Sequence, residues 1–435
     1  MIEKMDVVLI YLPKPFLKEP EAQAPLGLMY LAAVLEGDKR SVELANYSSH
    51  TEDEAIAELT EAVLYGITVT SMEIPYANSF AKRIKEKYPK SRIILGGPGI
   101  YSREVFDWID KDVIDSVCMG EGERIITKIL DDAKRGCLKC WYTGIPTEYL
   151  DGVPFPARHL LKNKQGGNIF AHGYNYIGNE STVILSSRGC PWNCSFCSAP
   201  ALRDEHGNGR MRFRGNHSII SEMKHVIDEY GIRQFRFSDD SFTSGKARMI
   251  SLCKEIEKLN VAWRISCRVK PLDEEMLQAL WNAGCKELSF GIESFDTNVL
   301  KGLQKGTTCE DNVSALELAD KVGFQTRMLF MIRTPFQTKE TIRLNRYWIQ
   351  RVPFSVIACT SFIPIPGSDV WENPDKYNIE ILSKDLLKYN FYMFGPEGRR
   401  KLEPLIKIKD RDLTEFMEES EEFRAWVDEF TRREV

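Results

Sequence analysis

Ser187-Arg-Gly-Cys190-Pro-Trp-Asn-Cys194-Ser-Phe-Cys197 follows directly on an apolar, β-rich run, Thr182–Ser187. Three cysteines spaced CxxxCxxC therefore sit on a loop at the carboxyl end of an expected strand. With 11 cysteines in 435 residues, chance supplies this spacing about 0.007 times. Three packed thiols brought together by accident is the poorer reading. Closely spaced thiolates suit a soft metal. A structural zinc takes four protein ligands, and neither a fourth cysteine nor a well-placed histidine lies nearby. A [4Fe–4S] cluster on Cys190, Cys194 and Cys197 keeps one iron open for an exchangeable ligand.

Working outward, strand and helix alternate. Strands are expected at 182–187, 234–238, 262–268, 287–291, 326–332 and 356–363, with helices at 217–230, 246–259, 273–283, 310–322 and 339–351. Six such units over 181–372 predict a partial (β/α)6 barrel with its site at the carboxyl ends of the strands. Residues 1–135 show the same rhythm in five short units, with strands at 6–12, 42–46, 64–70, 92–95 and 116–119 and helices at 26–36, 52–62 and 76–87. They predict a flavodoxin-like, doubly wound α/β domain. Residues 136–180, rich in Gly, Pro and aromatics, read as a linker, and 373–435 as a small, mainly helical region.

The triplet, with Phe196 before its last cysteine, resembles the signature of radical S-adenosylmethionine (SAM) enzymes. Further elements match in order. Phe237-Ser-Asp239-Asp240-Ser-Phe242 resembles the family's DDxF, and Ser289-Phe-Gly291-Ile-Glu293-Ser294 its GIES. Arg268 ends the third strand, and Phe362-Ile-Pro364-Ile-Pro366-Gly367 matches FxPxPG. Taken alone, an Asp–Asp pair is more often a turn or cap; order and spacing after the triplet reverse that reading. The resemblance implies that the open iron chelates SAM, and that Phe196, Asp239, Asp240, Arg268, Glu293 and Ser294 surround it. Reductive cleavage by an external low-potential electron donor then gives a 5′-deoxyadenosyl radical. One departure stands out: Ile332-Arg333-Thr334-Pro335 replaces a glycine-rich turn, so Arg333 is expected to reshape adenine or substrate contacts.

The N-terminal region resembles the cobalamin-binding domain of the class B, cobalamin-dependent radical SAM family, over residues 5–370 in all. Pro25-Leu-Gly27 opens the first helix, Gly96-Gly97-Pro98-Gly99 ends the fourth strand and Gly120-Glu121-Gly122-Glu123 the fifth. Glycine lets a backbone approach a flat ligand closely. The resemblance implies cobalamin contacts at Leu12, Pro25, Gly27, Thr70, Ser71, Gly96, Gly97, Pro98, Gly120 and Glu121. Gly99 and Asn46 stand where relatives carry His and Asp. Asp204-Glu-His206-Gly-Asn-Gly209 spells the DxHxxG of other corrinoid proteins but follows the wrong strand, so cobalt is expected to have no histidine ligand.

The charge of −5 gives no general pull toward nucleic acid. No apolar run reaches the roughly 20 residues of a membrane span, and the N-terminus reads as a strand and not a leader, so a cytoplasmic, monomeric globular protein is expected. Cys137 and Cys140 form a lone CxxC without a second pair. His172, Tyr174 and Tyr176 read as interface residues, Tyr389–Phe394 as core, and Glu415–Glu422 as a solvated helix face.

The resemblance implies a methyltransferase: one SAM gives its methyl through methylcobalamin to an unactivated carbon, and a second supplies the radical. The compact layout resembles the archaeal branch that methylates residues of methyl-coenzyme M reductase. A peptide or protein side chain therefore ranks ahead of a tetrapyrrole, lipid or other small molecule. Alternatives are a cobalamin-dependent radical cyclase or rearrangement enzyme, a methylthiotransferase and a non-enzymatic cobalamin or iron–sulfur sensor.

Overall fold

A computed structural model of the chain describes residues 4–17, 20–21, 24–161, 180–205, 211–389 and 403–434. The chain divides into two compact units: Met1–Gly167 with Ala201–Arg212 and Asp385–Gly398, and Asn168–Pro200 with Phe213–Lys384 and Arg399–Val435.

In the first unit β1 (Met5–Tyr11), α1 (Leu26–Gly37), β2 (Val42–Asn46), α2 (Glu52–Glu58), β3 (Ala62–Thr68), α3 (Ile74–Lys87), β4 (Arg92–Gly96), β5 (Ser116–Met119), α4 (Ile126–Lys134) and β6 (Trp141–Thr143) follow one another. The sheet order is β2-β1-β3-β4-β5-β6, and every pair is parallel. Strand order reverses between β1 and β3, where a doubly wound sheet opens its ligand crevice. Along β1, Val8 and Ile10 pack into one core while Val7 and Leu9 pack into another, so helices cover both faces.

Two expectations are corrected here. Trp141–Thr143, inside the stretch read as a linker, is a sixth strand paired with β5; three residues are too few to show a period. Helix α2 starts at a Thr51–Glu54 capping box and stops at Glu58, because Leu59 is already extended.

The second unit carries β7 (Ser181–Ile184), α5 (Asn216–Tyr230), β8 (Gln234–Phe237), α6 (Lys246–Ile256), β9 (Ala262–Cys267), α7 (Glu274–Asn282), β10 (Cys285–Glu293), α8 (Cys309–Val322), β11 (Gln325–Ile332), α9 (Lys339–Ile349) and β12 (Val356–Ser361). Each strand lies parallel beside the next, the order of a partial barrel. Phe235, Phe237, Trp263, Ile265, Leu288, Phe290, Met328 and Phe330 share one core with the helices. Alternation then turns Arg236, Arg264, Glu287, Ser289 and Arg327 to the opposite, inner face.

Beyond the barrel, β13 (Ile379–Ile381) pairs antiparallel with β14 (Ile406–Ile408), ahead of α10 (Leu413–Glu434). The region read as mainly helical thus also holds a strand pair. Tyr389 is fully buried; the rest of the Tyr389–Phe394 stretch, together with His172, Tyr174, Tyr176 and His206, lies outside the described residues. Among the described residues no helix is long and apolar enough to cross a membrane.

Candidate functional site

The cysteine loop leaves the carboxyl end of β7 and is fastened at its middle. Ser195 donates from its backbone N–H to Leu303 O at 3.0 Å and from Oγ to the same oxygen at 3.0 Å, while its carbonyl accepts from Val370 N–H at 3.0 Å. Cys197 N–H closes a turn onto Cys194 O at 3.1 Å. Cys194 is buried, and Cys190 and Cys197 are partly exposed. Burial pushes the Cys190 thiol up, and the Cys197 thiol up to about 11, with the neighbouring cysteines adding to both shifts. Binding a metal must therefore displace thiol protons.

Among the described residues no three His, Cys, Asp or Glu side chains close around one metal-ion position. A four-iron cluster asks for a different arrangement, one thiolate on each of three irons. Arg268 brings a positive charge against the loop. Its Nη1 stands 3.0 Å from Cys194 Sγ, Nη2 donates to Lys305 O, and the guanidinium lies 4.4 Å from the Trp192 ring centroid.

Asp239 is buried and holds the approach to the loop: its carboxylate accepts from Ser186 N–H (3.1 and 3.2 Å), from Ser186 Oγ at 2.7 Å and from Ser187 Oγ. Burial pushes its carboxyl up, against the pull of those hydrogen bonds and of Arg248. Asp240 is exposed beside the loop and accepts from the Gly189 N–H. Glu293 ends β10 at a positive φ of 62° and pairs with buried Lys305 at 2.7 Å. Ser294 faces inward, its Oγ donating to Asn345 Oδ1 at 3.2 Å and accepting from Asp296 N–H at 3.0 Å. Phe196 packs beside the Val299–Leu303–Phe362 cluster, with Lys305 Nζ 5.8 Å from its ring centroid.

Arg333 corrects an expectation. It adopts a positive φ of 61°, a conformation glycine reaches without steric cost. Its side chain turns to Glu421 of α10 and, at 3.4 Å, to Ser361 Oγ, tying the last helix to the barrel.

In the first unit the carboxyl ends of the strands present mostly backbone. Gly97 has φ 92°, and a Cβ there would sit 2.4 Å from Thr68 Oγ1. A Cβ on Gly99 would sit 2.4 Å from the Thr70 carbonyl carbon. Around Gly27 a Cβ would meet nothing within 4 Å, and at Gly96 only Cys118 O at 3.8 Å. Pro25 caps α1, Gly120 has φ 95°, and Pro98 is exposed. Several side chains are spent within the unit. Leu12 is in the core; Thr70 and Glu73 form a capping box beside buried Ser71; Glu73 also pairs with buried Lys14. Glu121 grips Arg212 with both oxygens and accepts from Thr147 N–H at 2.8 Å.

Residues 184–344 match the radical SAM superfamily, and residues 21–130 match the B12 binding domain. The chain is a class B, B12-dependent radical SAM enzyme. Its cofactors are a [4Fe–4S] cluster, SAM and cobalamin.

The chain is 27% identical to an uncharacterized methyltransferase of Pyrococcus horikoshii, across 88% of this chain and 83% of that one. It is 26% identical to the anaerobic magnesium-protoporphyrin IX monomethyl ester cyclase of Rubrivivax gelatinosus, across 84% and 68%. Its fold is similar to that of the radical SAM methyltransferase TsrM from Kitasatospora setae, solved with cobalamin and a [4Fe–4S] cluster. The TM-score is 0.63 at 19% identity, over 84% of this chain and 77% of that one.

The residues present fit both groups. Three thiols of one pinned loop, with a guanidinium against the buried one, suit an anionic cluster. Backbone without side chains at Gly27, in the first turn of α1, and at Gly96, the end of β4, suits a flat macrocycle. The sequence did not reveal Lys305, Arg212 or the Ser186–Ser187 clamp. Lys305 lies 12 residues from Glu293, and Arg212 lies 91 from Glu121; no short motif contains either pair.

Proposed function

We propose that this radical SAM enzyme transfers the methyl group of SAM to an unactivated carbon of its substrate, a protein or peptide side chain or a small molecule. One observation carries the reading: a single chain joins a pinned thiolate loop at the mouth of a partial barrel to glycine strand ends in a doubly wound domain. The relatives named as methyltransferases support it. When bound, cobalamin carries a methyl group and the cluster with SAM supplies the radical that opens a C–H bond.

The chain's own part is positioning. We assign Cys190, Cys194 and Cys197 to the cluster. Arg268 offsets the charge gathered at Cys194 and, through Lys305 O, fixes the loop that carries Lys305. Lys305 holds the Glu293 carboxylate in one place, so that a ligand of the barrel mouth meets an oriented pair. Asp239 sets the bend that aims the cysteine loop, and Asp240 is the member of that pair left open toward a ligand.

The test is anaerobic turnover of the reconstituted enzyme with methyl-deuterated SAM, a low-potential reductant and a fractionated cell extract. The reading expects a deuterated methyl in a product, with S-adenosylhomocysteine and 5′-deoxyadenosine both formed. 5′-Deoxyadenosine with a chemically changed product that carries no label would overturn methyl transfer in favour of cyclisation or rearrangement.

A further inference from the structure

The inner face of the second sheet carries more positive charge than it balances. Arg236 on β8 and Arg264 on β9 are register partners, so their backbones lie about 4.8 Å apart. Arg264 is in turn opposite Glu287 on β10 and bonds it, Nη1 to Oε1, at 2.6 Å. Arg327 on β11 is opposite Ser289, two residues further along the same face. Arg264 and Glu287 are buried, whereas Arg236 and Arg327 are partly exposed. Among the described residues of this face, three guanidinium groups thus share one carboxylate.

Arg236 and Arg327 both feel their neighbours. Burial, Arg264 and Arg327 together push Arg236 down to about 10, and burial and Arg264 push Arg327 down, while Glu287 opposes both shifts. Arg327 Nε is also buried without a hydrogen-bond partner. Gathering like charges on a desolvated face costs stability unless an anion completes the set. A guanidinium presents a planar fork of donors suited to carboxylate and phosphate oxygens.

We propose that this face binds an oxyanion of the substrate, a carboxylate or phosphoryl group, through Arg236 and Arg327, with Arg264 held ready by Glu287. Arg236 precedes Asp239 by three residues and Arg264 precedes Arg268 by four, about 10–13 Å of strand. The substrate is then an anionic molecule or segment whose reacting carbon lies about that far from its acid group. A peptide meets this requirement through an acidic side chain or its C-terminus. The inference rests on the methyl-transfer reading only for the identity of the ligand as substrate; the anion site stands on the arginines themselves.

The test uses the reconstituted full chain and two probes, inorganic phosphate and succinate, titrated by calorimetry and by the shift in thermal midpoint. Wild type is expected to bind at least one of them. Arg236→Gln and Arg327→Gln are each expected to weaken that binding about tenfold or more, and Arg343→Gln, an exposed control on α9, to leave it unchanged. Preference for phosphate or for succinate distinguishes a phosphoryl from a carboxylate substrate. Without probe, both variants should melt no lower than wild type, because each removes a like charge. Binding of neither probe, equal binding by the variants, or variants that melt well below wild type would overturn the anion site. The titration involves no turnover, so its failure leaves methyl transfer standing, and absence of label transfer leaves the anion site standing.

Discussion

The strand ends of the two sheets are built of opposite materials. In the first unit the strand ends and the first turn of α1 offer backbone: Gly97 and Gly99 are held to glycine by Thr68 and Thr70, and Gly27 opens onto free space. Many neighbouring side chains there, from Leu12 to Glu73 and Glu121, are spent on the unit itself. In the second unit the strand ends offer charged and sulfur side chains, Cys194 against Arg268 and Glu293 against Lys305. A large neutral ring face needs room and shape, which absent side chains provide. A cluster and a zwitterion need ligands and countercharges, which only side chains provide.

The comparison breaks most visibly at the cysteines. Replacing Cys190, Cys194 and Cys197 by Ala should remove nearly all iron and lower SAM cleavage at least ~100-fold, since the cofactor carries that chemistry. Cobalamin binding, read by absorbance after gel filtration, should stay within about twofold. Loss of both cofactors together would show that the two sites are not made of separate materials.

The reciprocal change is Gly99→Val. Its branched side chain would collide with the Thr70–Ser71 backbone, which must shift, and cobalamin affinity should fall about tenfold or more while iron content holds. A variant with unaltered cobalamin affinity would remove the glycine turn from the site.

A smaller effect is expected at Lys305→Met, which leaves the Glu293 carboxylate buried without its cation. Breaking such a pair costs about 3–5 kcal/mol, visible as a lower denaturation midpoint. SAM affinity, measured by equilibrium dialysis, should weaken with it, and Lys305→Arg should restore part of both. Full SAM affinity in the Met variant would assign the pair to stability alone.

The smallest effect belongs to the first unit's last strand. Hydrogen bonds from Lys128, Arg135 and Tyr142 hold the Asp132 carboxyl well below the usual carboxylate range, and Tyr142 is the residue through which β6 joins them, at 2.9 Å. A lowered pKa contributes stability in full above the ordinary carboxylate value and loses it as pH falls toward the folded value. Asp132→Asn should therefore flatten the acid side of a stability-against-pH curve and leave iron content unchanged. An acid limb identical to wild type would contradict this.

The difference in materials also explains what was legible in the sequence. Cysteines at fixed spacing and glycines at strand ends are local signals, and each strand–helix pair announces itself over ten or more residues. Trp141–Thr143 reads as linker in the sequence because a three-residue strand has no period to detect. Ser294 matched a motif, yet its hydroxyl is engaged by Asn345, 51 residues away. Arg333 reads as a departure, and only folding shows that Glu421, 88 residues on, takes its charge. Countercharges are chosen in space, and a linear pattern does not contain them. The arginines of the inner face are similar: each is a single residue in an ordinary strand, and register alone gathers them.

Metal and corrin content per chain, measured side by side in wild type and the triple cysteine variant after anaerobic reconstitution, tests the central claim most directly. The account predicts about four irons and one cobalamin for wild type, and one cobalamin without iron for the variant. Four irons without cobalamin in wild type, or cobalamin lost together with iron in the variant, would contradict it.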